Sequence, residues 1–122
     1  MKTLRTASSI AALMGFEALT LALVSTLHLS HTLGGRSKPF NPTAAGTAEA
    51  VIGVVLAAGA VSLLRAPYGR TAALAATVFA IAGFLVGLTF TISGGNAIDI
   101  AYHAVMLPLL LLTLRALLRL RP

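Results

Sequence analysis

The sequence contains no cysteine, only three acidic residues, and 10% charged residues in a chain of 122; a soluble domain carries about a quarter charged residues. Without cysteine, disulfides, thiolate metal sites and thiol catalysis by this chain are excluded, and the redox compartment stays unmarked. The shortage of charge excludes water as the main solvent. GxSxG, HExxH, a phosphate-binding loop and the glycine-rich dinucleotide fingerprint are also missing, so hydrolase and nucleotide chemistry have no motif to stand on. Nine Lys and Arg outnumber the acids and give a net charge of +6. These basic residues flank apolar runs instead of interleaving with aromatics, which excludes nucleic acid as the partner.

What remains is hydrophobic, at 57% of the chain. A membrane-crossing helix needs about 20 mostly apolar residues, and the segments 8–33, 46–64, 71–92 and 97–118 qualify. The breaks between them, 34–45, 65–70 and 93–96, are rich in turn formers. Short connections make sequential helices antiparallel neighbours. The expected fold is therefore all-α, an integral membrane bundle of four antiparallel transmembrane helices forming one domain over 1–122. Lys2 and Arg5 precede the first run as they would in a signal peptide. That run is longer than a signal h-region, contains Glu17 and ends in STLHLSH without a small-x-small cleavage site, so it reads as a retained helix.

Lys2, Arg5, Arg65, Arg70, Arg115, Arg119 and Arg121 fall on one side of such a bundle, and Arg36 and Lys38 on the other. The positive-inside rule then puts both termini in the cytoplasm of a bacterial-type inner membrane, with loops 34–45 and 93–96 outside. The lipid bilayer is the first partner this implies.

Charge is costly in hydrocarbon, so ionisable residues there turn inward, pair and mark function. Glu17, His28, Glu49, Asp99 and His103 lie within the apolar runs or at their edges, and His31 stands one turn beyond His28. At about 1.5 Å rise per residue, His28, Glu49 and His103 all fall within roughly 10 Å of the outer helix ends. Asp99 and His103 share a face at i,i+4, as do His28 and His31 at i,i+3. Three helices thus offer polar groups to one layer. Glu17 lies 11 residues before His28, on nearly the same face but about 16 Å deeper, where a carboxylate needs a partner or a proton.

Each residue also has a plainer role. Asp99 stands three after Asn96 and Glu49 three after Gly46, where either acid could serve a helix N-terminus. His31 suits an interfacial position, and His28 and His103 could be hydrogen-bonded structural histidines. Pro108 removes the amide that would pair with the Ala104 carbonyl, which could open an acceptor or a kink beside His103. Met106, one turn from His103, is a soft ligand or simple packing. Tyr102, Ser25, Thr89 and Thr91 can supply hydrogen bonds. Gly83 and Gly87 form GxxxG, and Gly46, Ala50, Gly53, Ala57 and Ala60 run along one face of the second helix; such faces pack within a chain or between copies, leaving a homo-oligomer or a larger membrane complex open. The terminal RALLRLRP has the look of an interfacial basic segment.

The stretch GTAEAVIGVVLAAGAVSLLR, with an acidic residue opening a Gly- and Ala-rich second helix, resembles the second helix of DoxX-like small four-helix membrane proteins. In that resemblance Glu49 matches the acidic position, Gly53 and Gly59 match small positions, and His28 matches a polar position near the end of the first helix. The HLSH and DIAYH segments depart from the pattern. The resemblance implies a membrane redox context, including quinone-linked chemistry.

Three functional classes follow. In the first, a redox-associated subunit holds haem, a metal ion or a quinone head, with His28 and His103 as ligands and His31 as a weaker candidate, since imidazole suits haem iron, copper and zinc. In the second, Glu17 carries protons for transport of a small solute, with the outer layer as entrance; inverted repeats would typify that class, and helices one and two do not visibly repeat in three and four. In the third, the chain is a non-catalytic accessory or scaffold subunit whose polar residues hold the bundle together. The resemblance favours the first, and the residues alone leave open whether the protein is an enzyme.

Overall fold

A computed structural model describes residues 6–121, and over these the chain is all-α. Four helices follow one another: α1 (Ala7–Leu29), α2 (Pro42–Arg65), α3 (Gly69–Gly94) and α4 (Ala97–Arg119). All four are long and apolar enough to cross a membrane. Lys2 and Arg5 lie outside the described residues.

The helix ends are set by local chemistry. Asn41 accepts hydrogen bonds at its side-chain oxygen from the amides of Thr43 and Ala44, at 2.9 and 3.1 Å, and Pro42 takes the first helical position; both are strong start signals. They begin α2 four residues before the expected 46. Conversely α1 stops at Leu29, not 33, because His31 adopts a left-handed φ of 58° and the Leu33 amide folds back onto the Leu27 carbonyl at 3.0 Å. Asn96 caps α4 through the Ile98 amide at 2.7 Å. Asp99 is thus at N3, but its carboxylate faces the interior.

Polarity is inverted relative to a water-soluble bundle. Phe16, Leu19, Val54, Val86, Val105 and Leu118 are exposed, whereas Glu17, His28, Glu49, Asp99, His103 and Thr113 are buried. The apolar core runs through Met14 and Leu21 of α1, Ile52 and Leu56 of α2, Ala76, Ala80 and Phe84 of α3, and Met106, Leu110 and Leu117 of α4. Small residues let the helices approach. A methyl group added at Gly53 would lie 3.3 Å from Leu21 Cβ, and one at Gly59 only 2.7 Å from Ala76 Cβ. Gly46 and Gly53 therefore pack against α1 of the same chain, while Ala57 is exposed.

Two arginines fasten the ends. Arg36 donates through its backbone amide to the Gly94 carbonyl at 2.6 Å and through its guanidinium to the carbonyls of Gly95 and Ile92, drawing the α1–α2 connection over the C-terminus of α3. Gly94 leaves room for this, since a side chain there would strike the Ser37 carbonyl. Arg70 does the same elsewhere, donating to the carbonyls of Leu117 and Leu118 at 2.9 and 3.2 Å. Carbonyls of a last helical turn lack the full set of backbone partners, and a cation there also suits the helix dipole.

Candidate functional site

α1, α2 and α4 each bring a polar side chain to one point. His28 Nδ1 lies 2.8 Å from Glu49 Oε2, and His28 Nε2 lies 3.3 Å from Asp99 Oδ2. Asp99 Oδ1 is in turn 3.4 Å from His103 Nδ1. His28 is wholly enclosed and Asp99 is 1% exposed. Burial at this depth demands partners, because an unpaired polar group costs about 1–3 kcal/mol and a charged one more. The cluster forms because the i,i+4 spacing turns Asp99 and His103 to one face and because Ser25, one turn before His28, donates to the Gly46 carbonyl at 2.7 Å and fixes α1 against the start of α2.

Hydrogen-bond direction distinguishes the two imidazoles. A backbone carbonyl can only accept, so the 2.8 Å contact of His103 Nδ1 with the Asp99 carbonyl makes Nδ1 the donor and leaves Nε2 as the acceptor of a neutral ring. That nitrogen faces the ground cleared by Gly87, where an added methyl would stand 3.3 Å away. Phe84 packs edge-on against the His103 ring at 5.1 Å, and Phe40 covers His28 at 5.6 Å. Asp99 stands between the histidines, so a carboxylate occupies the gap that a haem iron held by His28 and His103 would need.

Beside the cluster, between α2 and α3 and under the α1–α2 connection, lies a cavity of about 510 Å³. Its walls are apolar, with Phe40, Ile52, Phe79, Phe84, Val86 and Phe90, and its polar side chains are those of Asn41, Glu49, Thr91, Asp99 and His103. Ligand pockets have this volume and this ratio of apolar wall to convergent polar groups. Gly83 and Gly87 both border it, so the GxxxG of α3 shapes the cavity as well as the packing, with Gly83 admitting Ile52 of α2.

The structure thus brings together His28, Glu49, Asp99 and His103 and keeps two candidates apart. His31 is exposed, on the outer side of the turn that ends α1. Glu17 is fully buried elsewhere, where the Thr113 hydroxyl lies 3.1 Å from each carboxylate oxygen. Thr113 sits ten residues beyond His103, or about 15 Å along α4. The Thr113 partnership was missed in the sequence, although depth counting could have found it: Glu17 precedes His28 by 11 residues and Thr113 follows His103 by ten.

Other candidates have ordinary roles. Met106 is in the core, 3.8 Å from the Thr20 hydroxyl, which also meets the Tyr102 hydroxyl at 2.9 Å. Pro108 and Ala104 both face outward, so the carbonyl freed by the proline opens away from His103. Thr89 returns its hydroxyl to the Val86 carbonyl. No protein family, curated protein or solved structure matches this chain.

Proposed function

We propose that the chain is a redox-associated integral membrane subunit whose cavity binds a quinone-type lipid, with the oxygen-bearing head against His103 and the apolar body between α2 and α3. One observation carries this reading: an apolar cavity of about 510 Å³ ends in a histidine whose free ring nitrogen is an acceptor. Phe79 and Val86, at its border, lie on the exposed face of α3, so a ligand dissolved in the bilayer can enter sideways without crossing water. The DoxX-like pattern around Glu49 adds the redox context.

The membrane placement belongs to the same proposal. Apolar outer faces and polar interiors suit lipid. An up-down-up-down bundle agrees with the pairing of Leu29 with Gly46, Leu21 with Gly53 and Met14 with Gly59, and with Arg70 reaching the last turn of α4. Arg65, Arg70, Arg115, Arg119 and Arg121 then gather at one end, which the positive-inside rule places in the cytoplasm of a bacterial inner membrane together with both termini. The His28 cluster lies at the opposite, outer end.

The test is a thermal-shift titration of the protein in lipid nanodiscs with a short-chain quinone. Saturable stabilisation is expected, growing as RT ln(1 + [L]/Kd). Gly87→Leu, which fills the space beside His103, should abolish it, and His103→Gln should weaken it. A shift that rises without saturation and is equal in wild type and Gly87→Leu reflects partition into lipid and refutes the site.

A further inference from the structure

We propose that His28, Glu49 and Asp99 form a binding site for a divalent first-row transition ion, with His28 Nε2 and the Asp99 carboxylate as direct ligands and Glu49 as the orienter of His28 through its other ring nitrogen. The proposal does not depend on what occupies the cavity.

The donor atoms are already gathered. One ligand atom from each of the three residues lies within 4.8 Å of the others. Imidazole and carboxylate ligands bound at about 2.0–2.2 Å stand about 3–4.4 Å apart around one ion. The 3.3 Å separation of His28 Nε2 and Asp99 Oδ2 is already that of two ligands of a tetrahedral ion.

A second observation is independent of this grouping. Among the described residues, the buried side-chain polar atoms without a hydrogen-bond partner are His28 Nε2, Asp99 Oδ1 and Asp99 Oδ2. Although within 3.4 Å of imidazole nitrogens, the Asp99 oxygens have no hydrogen-bond partner. Native interiors leave few such atoms, and three from two touching residues call for a common partner.

The tautomer of His28 identifies that partner. His28 Nδ1 donates to Glu49 Oε2 at 2.8 Å, since a carboxylate oxygen accepts. In the neutral ring Nε2 is then a lone pair aimed at a carboxylate. Two acceptors face each other, and a cation between them turns repulsion into ligation. A carboxylate gripping the far nitrogen of a metal-binding histidine is the usual outer-shell device: it sets the ring's orientation and raises its basicity as a ligand. A dication also neutralises Glu49 and Asp99 together, leaving no net charge among these three residues in a low-dielectric interior. With nitrogen and oxygen donors and no thiolate, the set fits zinc, manganese or ferrous iron better than soft cuprous ion.

The experiment uses full-length protein in nanodiscs, stripped with a chelator and titrated with Zn²⁺ against a chromophoric competitor. Wild type should bind one ion per chain. Asp99→Asn and His28→Gln should each weaken binding at least tenfold, and Glu49→Gln, which removes the orienting carboxylate charge, by about 10–100-fold. His31→Gln, outside the cluster, should bind as wild type. Helical circular dichroism and a single elution peak establish folding for each variant. Titrating the same samples with Co²⁺ should give visible ligand-field bands in wild type that Asp99→Asn lacks. Folded wild type that binds no zinc, or zinc binding equal in wild type, Asp99→Asn and His28→Gln, overturns the proposal. Glu49 and Asp99 also border the cavity, but the quinone test is read at Gly87 and His103, neither of which is a ligand here, so failure of one reading leaves the other standing.

Discussion

At the scale of single residues, the buried ionisable side chains among the described residues divide into a cluster and one outlier. The outlier is Glu17, whose two carboxylate oxygens share the Thr113 hydroxyl. Removing that hydroxyl leaves a buried acid without a side-chain partner. Thr113→Val keeps the shape and should lower stability by about 1–3 kcal/mol, measured by unfolding in mixed detergent micelles. Glu17→Leu in the Thr113→Val background should recover much of the loss, because replacing both members by apolar groups is nearly neutral. Gly59 offers a steric counterpart. With Ala76 Cβ only 2.7 Å from an added methyl, Gly59→Val should cost about 1–3 kcal/mol by overpacking in the same assay.

The residues that looked chemical in the sequence were legible because so apolar a chain leaves them few places to go. Depth counting placed His28, Glu49 and His103 in one layer, and the i,i+4 rule put Asp99 on the His103 face. What counting did not reveal was direction. Whether His103 Nδ1 donates to the Asp99 carbonyl, or whether Pro108 opens toward the site or away from it, depends on helix rotation, which apolar periodicity cannot fix when both faces of a helix are apolar.

At the scale of elements, the helices were readable from length and composition, and their ends were not. α1 was expected to run to residue 33 and stops at Leu29, since nothing in HLSHT announces that a histidine will take the left-handed conformation. α2 starts at Pro42 instead of 46 because Asn41 caps it, a signal that was present in the sequence as NPT. The connection 30–41 becomes a strap whose Phe40 covers His28 and whose Arg36 clasps the end of α3. Arg36→Ala should release it, with faster amide hydrogen exchange across 34–40 and unchanged exchange in the α1 core around Met14 and Leu21. Equal exchange in both proteins would show that the arginine contacts do not hold the strap.

For the whole molecule, the decisive property is its inside-out polarity, with large apolar side chains outward and the three acids, His28 and His103 inward. The absence of cysteine makes the proposed orientation easy to examine. In intact cells, Ser37→Cys should react with a membrane-impermeant thiol reagent, whereas Tyr68→Cys, on the α2–α3 turn, should react only after the membrane is opened. The reverse pattern would invert the topology and move the cluster to the cytoplasmic end.

The convergence of α1 and α4 on one polar site requires that His28 and Asp99 act as a unit, and a double-mutant cycle on His28→Gln and Asp99→Asn, read by unfolding free energy of zinc-loaded protein in nanodiscs, measures that directly. Independent sites add within about 0.3–0.5 kcal/mol, whereas groups sharing a network couple by about 0.5–3 kcal/mol. The structure predicts coupling of at least about 1 kcal/mol, the second substitution doing little further harm once the first is made. Additivity of the two changes would contradict it, because His28 and Asp99 would then not share a site.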